Sequence, residues 1–103
     1  MHKLVVLYPE PDDPEAFIEY YTTTHLPLAA KLPGMLGWRY SIEVSDLPEA
    51  KAPYFAVFEA EFENAAAFNA AMSSSEGQAV TADVPNYATG GATVIDYTIS
   101  GGD

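Results

Sequence analysis

Cysteine is absent from this 103-residue chain, which removes disulfides, thiolate metal sites and thiol nucleophiles together and fits a reducing compartment. Basic residues are nearly as scarce. Four of them face fifteen acidic residues, for a formal charge of -11, so phosphate backbones and anionic membranes would repel the chain. Neither nucleic acid nor a membrane is an expected partner. There is no apolar run long enough to cross a bilayer and no charged-then-apolar amino terminus of the signal-peptide kind, so a soluble, cytoplasmic protein is expected. Sequence motifs for cofactors are missing too. Gly90 and Gly91 stand before a strand, whereas a phosphate cradle needs glycines that open a helix; G-x-S-x-G does not occur, and the two histidines form no H-x-x-E-H. No cofactor and no metal are expected.

What is present reads as one domain, 49% hydrophobic, with a thin stability margin that a partner surface would improve. Lys3 to Tyr8 is a first strand, punctuated by Pro9, Pro11 and Pro14. Asp12 with Glu15 matches a capping box, and Asp13 before Pro14 is an equally good cap, so a helix starts here. Its expected apolar stripe is Phe17, Tyr21, Thr24 and Leu28. Pro27 lacks an N–H and disfavours a helical Leu26, which predicts a kink or an end between Thr23 and Leu26, one further turn at Leu28 to Leu32, and closure at Pro33 and Gly34.

Leu36, Trp38, Tyr40, Ile42 and Val44 alternate with polar residues over Met35 to Val44, a second strand by period two. Ser45 to Pro53 is a loop, and Tyr54 to Phe62 is the third strand, antiparallel to the second. Asn64 caps a helix over Ala65 to Met72 with a buried stripe of Ala65, Phe68, Ala71 and Met72. Ser73 and Glu76 repeat the capping-box spacing before a short helical turn over Gly77 to Asp83 that Pro85 ends. Ala92 to Ile99 is the last strand, and Ser100 to Asp103 should fray. The order β-α-β-β-α-β is the ferredoxin-like α+β arrangement, a four-stranded antiparallel sheet with both helices on one face. Its other face would expose a large apolar area, which a second copy packed sheet against sheet would cover. A homodimer is therefore expected, with a cleft left between each sheet and its helices.

The stretches LVVLYPEPDDPEAFIEYYTTTHLPLAAKLPG and SSSEGQAVTADVPNYATGG, in that order and followed by a hydrophobic strand, resemble the EthD family of dimeric α+β-barrel proteins nearly from end to end. The resemblance implies the dimeric barrel architecture, and His25 of the H-x-P motif carries over as its functional histidine. Members of that family are often encoded beside pathways for ether, ketone or aromatic degradation. The wider superfamily includes cofactorless monooxygenases, isomerases, polyketide cyclases and haem-handling enzymes, so the resemblance fixes architecture far better than chemistry.

His25 is thus the candidate acid or base, since imidazole titrates near neutrality, although a side chain at an interrupted helix end also serves simply as a cap. His2 reads as a surface residue. Glu76 is a weaker candidate that would pair with His25 across the cleft, against the plainer reading of a carboxylate reaching back to Ser73. Tyr20 and Tyr21 are adjacent on a helix, so only one of them faces the sheet. Tyr21, Trp38, Tyr40, Phe58 and Tyr87 are the candidate ligand-binding residues, the reserve of aromatics suited to a flat, apolar ligand. Asp96, in an otherwise apolar strand, would pair with Arg39 or Lys3 or stand as an edge charge. Two functions follow. One is a cofactor-independent enzyme in which His25 moves a proton on a small apolar carbonyl or aromatic compound, the resulting carbanion then cyclising, isomerising or reacting with oxygen. The other is a noncatalytic accessory protein that carries a hydrophobic metabolite to or from a partner oxygenase.

Overall fold

The structure is a computed structural model that describes residues 1–101. Its elements are β1 (His2–Tyr8), α1 (Pro14–Tyr20), a π-helical turn (Tyr21–His25), α2 (Leu26–Ala29), β2 (Gly37–Ser41), β3 (Ala56–Phe62), α3 (Ala65–Ser73), α4 (Ser75–Asp83), a 3-10 turn (Val84–Asn86) and β4 (Thr93–Thr98). The four strands form one antiparallel sheet in the order β2-β3-β1-β4, which is the expected ferredoxin-like topology. Strands are shorter than the alternating pattern suggested: β2 stops at Ser41 and β3 starts at Ala56, because the long polar segment between them includes the flanking apolar residues. Ser100 and Gly101 carry no regular structure, and Gly102 and Asp103, the rest of the expected frayed tail, lie outside the described residues.

Period two sorts the sheet into two faces. His2, Leu4, Val6 and Tyr8 of β1 and Ala56, Phe58, Ala60 and Phe62 of β3 are buried beneath the helices. The opposite face carries Val5, Leu7, Val57, Ile95 and Tyr97 beside Lys3, Arg39, Glu59 and Glu61, and no element of the described residues covers it. Ile95 and Tyr97 are 45% and 43% exposed, so an apolar strip lies open from β1 to the edge strand β4. Its charges are arranged around Lys3, which donates to Glu59 at 2.9 Å with Glu61 at 3.9 Å.

Asp13, not Asp12, caps α1: its carboxylate accepts from the Ala16 N–H at 3.1 Å, with Pro14 in the first helical position. The helix neither ends nor breaks before Pro27. Instead the chain widens into the π turn, where the Leu26 N–H reaches back five residues to the Tyr21 carbonyl, and α2 continues. Proline supplies no N–H to the Thr23 carbonyl and its ring crowds that turn, and one extra residue in the turn relieves both faults. The buried stripe continues through the turn. Beyond Tyr21 the inward positions are His25, Leu26, Ala29 and Leu32, while Thr24, expected to be inward, is exposed. His25, four residues after Tyr21, stays on the same face and so meets the sheet.

The Asn64 side chain caps α3 by accepting from Ala67 N–H at 2.9 Å, and Phe68 and Ala71 are buried as expected while Ala65 is exposed. The segment expected to be a short turn is a nine-residue helix, α4, whose cap is Ser74 and not Ser73: its hydroxyl oxygen accepts from the Gly77 N–H at 3.1 Å. Gly77 is required by space. A Cβ there would lie 2.5 Å from the Met72 carbonyl oxygen and closer still to that of Ala71.

Two sequence expectations fail together at the far end of the sheet. His2 is buried rather than superficial, packed at 5.2 Å from the Phe68 ring, and its Nε2 lies 2.8 Å from the Asp96 carboxylate. Asp96 is accordingly paired with His2 rather than with Arg39 or Lys3. The register explains it, since His2 stands opposite Thr98 and Leu4 opposite Asp96, which puts all four side chains on the helix-covered face.

Candidate functional site

The helices do not fill the space above the sheet. A cavity of about 290 Å³ lies between β1, β3 and β4 on one side and α2, α3 and α4 on the other. Its wall is made of Leu4, Val6, Phe58, Val94, Ala29, Leu32, Met72, Val80 and Val84, interrupted by three polar side chains, His25, Tyr8 and Thr81. The Thr81 hydroxyl is already committed, donating to the Gly77 carbonyl at 3.0 Å. His25 and Tyr8 are therefore the polar groups available to an occupant.

His25 is 4% exposed and its Nδ1 lies 2.9 Å from Asp83 Oδ2. Asp83, at the carboxyl end of α4, is itself fixed: its Oδ1 accepts from the Tyr20 hydroxyl at 2.6 Å and from Asn86 Nδ2 at 3.0 Å. Burial pushes the imidazole below its ordinary 6.5, against the opposing hydrogen bond and charge of Asp83. Burial alone would raise the Asp83 carboxyl, but hydrogen bonds from Tyr20, Asn86 and His25 outweigh it and hold it below its ordinary value. The two shifts agree on one state, a carboxylate accepting from Nδ1–H of a neutral imidazole. This fixes the tautomer and leaves Nε2 as a lone-pair base, to which no described residue hydrogen-bonds. The ring is held in place by Tyr21, stacked at 5.7 Å and 14°, and by Tyr87 at 4.5 Å.

A pH signature follows. Because the unfolded chain binds a proton to His25 more readily than the folded one, its contribution to stability is complete above pH 6.5 and is lost as pH falls toward the depressed folded value. Urea unfolding at pH 7.5 and 5.5 should show a loss in the wild type beyond any seen in His25→Gln. An equal response of the two proteins would mean that folding leaves the imidazole pKa unshifted, and a relative gain in the wild type at pH 5.5 would mean that the native imidazole is held charged.

The other expected site residues are placed as follows. Phe58 lines the cavity. Tyr21 does not line it but lies fully buried behind His25, and Tyr87 sits in the same second layer, its hydroxyl 2.6 Å from that of Tyr8. Trp38 and Tyr40 share the helix-facing side of the sheet with Phe58, but on the edge strand β2, where the helix layer covers them only in part. They are 38% and 42% exposed and flank a separate shallow groove with Thr22, Leu26, Pro27 and Ala30. Glu76 is exposed in the first turn of α4 and accepts from the Ser75 hydroxyl, so it neither meets His25 nor reaches back to Ser73. Asp83 holds the place imagined for it.

The signal for Asp83 was present in the sequence. Gly77, Val80 and Asp83 repeat every third residue and are the buried positions of α4, so an acid lies on a buried face at a helix carboxyl end, where the dipole disfavours it. A charge in that position needs donors. Among the described residues, no three His, Asp or Glu side chains gather closely enough to hold a metal, and no helix is long and apolar enough to cross a membrane.

Residues 10–91 match the EthD domain. The chain belongs to the EthD family. This EthD chain is 34% identical over 96 residues, 92% of itself and 91% of its relative, to an uncharacterised 11.0 kDa protein of the thcB-thcC intergenic region of Rhodococcus erythropolis. It is similar in structure to an EthD family protein of Bacillus halodurans, with 28% identity, a TM-score of 0.90 and coverage of 97% of this chain and 99% of that one. A dimeric ferredoxin-like protein of unknown function from Thermobifida fusca shares the fold at 17% identity and a TM-score of 0.70, covering 95% and 90% of the two chains.

Proposed function

We propose that this EthD chain is a homodimer that binds a small, largely apolar carbonyl or aromatic compound between sheet and helices, and that His25 transfers a proton to or from it without a cofactor. The observation that carries this reading is the buried imidazole in a largely apolar cavity, with Nδ1 held by Asp83 and Nε2 left unpaired. A base so placed removes a proton from a substrate whose apolar body fills the cavity and excludes water. The Asp83 carboxylate then stabilises the imidazolium that forms, which a lone buried histidine would resist.

The homodimer is supported by the open strip of Val5, Leu7, Val57, Ile95 and Tyr97 on the uncovered face. A second copy fits it in chemistry, since the same strip on both copies is self-complementary and a two-fold axis brings them together. The Thermobifida fusca relative of the same fold is dimeric.

Native mass spectrometry of freshly purified protein tests both claims. The expected species is a dimer carrying a small apolar molecule that denaturation releases and identifies. Once that molecule is known, His25→Gln should abolish its turnover while leaving its affinity within several-fold. Binding without turnover in the wild type would instead make the chain a carrier. A monomer would remove the sheet-to-sheet assembly.

A further inference from the structure

Tyr8 lies on the same cavity wall as His25, and its hydroxyl lies 2.6 Å from that of Tyr87, inside a cluster of phenols. Burial raises both phenols above their ordinary pKa, so both keep their protons and one of the two donates to the other. The direction is decided by what each leftover proton would meet. If Tyr8 donated, the Tyr87 proton would be stranded, since Tyr87 is 4% exposed, does not line the cavity and has no second hydrogen-bond partner among the described residues. If Tyr87 donates, the Tyr8 proton is left for the cavity. Tyr21, which does not line the cavity, is fully buried beside Tyr8, its ring packed edge-on at 5.5 Å from that of Tyr8.

We infer that Tyr8 is a polarised hydrogen-bond donor for a ligand oxygen, and that the ligand class is an enolisable carbonyl compound with an apolar body. This rests on the proposed cleft and deepens it. A donor that itself accepts a hydrogen bond is a stronger donor, and in a wall without water it strengthens most where charge develops on the oxygen. His25 Nε2 takes the proton from the carbon next to the carbonyl, and the C–H electron pair becomes the new C=C bond. The carbonyl π pair moves to oxygen, which Tyr8 holds. Where the carbon that lost the proton is bonded to a further C=C, the oxygen pair returns to reform C=O, that C=C moves into conjugation with it, and the same nitrogen gives the proton to the far carbon of the original C=C. The sum is an isomerisation that needs no oxidant or co-reactant. A plain aromatic hydrocarbon would use neither group.

The test compares 4-nitrophenol, an analogue of an enolate oxygen on a flat apolar body, with nitrobenzene, which lacks that oxygen, by titration calorimetry on the intact protein. The expected result is that 4-nitrophenol binds about tenfold more tightly or better, that Tyr8→Phe erases this preference, and that nitrobenzene affinity stays within about twofold. A folded Tyr8→Phe variant, judged by its melting curve, that kept the preference would overturn the role of Tyr8. So would a wild type that bound both probes equally, leaving the cleft itself standing. Failure of both probes to bind would sink the cleft reading and this one with it. Should Tyr8→Phe not fold, Tyr87→Phe keeps the Tyr8 hydroxyl and removes its donor; the preference should then fall several-fold, and an unchanged preference would overturn the inference.

Discussion

Asp83→Ala should lower the unfolding free energy by about 3 kcal/mol, the largest loss expected from any single polar side chain in this protein. The carboxylate takes three hydrogen bonds, from Tyr20 at 2.6 Å, His25 at 2.9 Å and Asn86 at 3.0 Å, and it does so 8% exposed. Hydrogen bonds to a charged group contribute about 1.5 to 3 kcal/mol each when measured singly, but these three share one acceptor and will not add. Part of the loss is also returned, because the variant no longer buries a charge. What remains is the cost of a buried Nδ1–H without an acceptor and of a loosened junction between α1 and α4. Urea unfolding at pH 7.5 measures it, and a loss below about 1 kcal/mol would mean that the network is not what holds His25. Asp83→Asn should lose less, since an amide oxygen still accepts, and it provides a second readout. With the carboxylate gone, the imidazole loses the charge that opposes its burial, so its pKa should fall further below 6.5 in an NMR titration. A rise would reverse the assignment of causes.

Gly77→Ala should destabilise by about 3 kcal/mol, although helix propensity alone predicts a gain of about 1 kcal/mol at an interior helical position. The two expectations differ in sign, which makes the variant decisive. The new methyl would sit 2.5 Å from the Met72 carbonyl oxygen and 2.7 Å from its carbon, and these are backbone atoms at the junction of α3 and α4 with no rotamer to adjust. Relief requires α4 to move away from α3, and α4 carries Val80 and Thr81 of the cavity wall as well as Asp83. Ligand binding should therefore weaken along with stability. Exposed Gln78→Ala, one residue on, is the control and should cost less than about 1 kcal/mol. A neutral or stabilised Gly77→Ala would show that the two helices can separate freely.

Much of the architecture was legible in the order of residues. Alternation in Lys3 to Tyr8 and Tyr54 to Phe62, the caps at Asp13 and Asn64, and the punctuation by proline and glycine specify strand, helix, strand, strand, helix, strand, because each is a local preference with a fixed period. The site was half legible. His25 before Pro27 stood out as a titratable ring at a helix fault, and Phe58 fell on the covered face of its strand. The inward stripe was less legible, since Thr24 and His25, three and four residues after Tyr21, both neighbour it on a helix face, and only packing against the sheet selects His25.

By itself the sequence determined the ferredoxin-like order of elements, the acidic surface and the histidine, all of which depend on neighbours a few residues apart. Only the tertiary structure decided the partner of that histidine. Asp83 lies 58 residues away and Glu76 only seven before it, and two turns of α4 separate an exposed carboxylate from a buried one. Which acid meets the imidazole depends on where α4 crosses α2, a matter of packing between distant segments that local spacing does not encode. The same holds for His2 and Asp96, joined by strand register across 94 residues, and for Trp38 and Tyr40, which alternate toward the helix side but lie on an edge strand that the helices cover only in part.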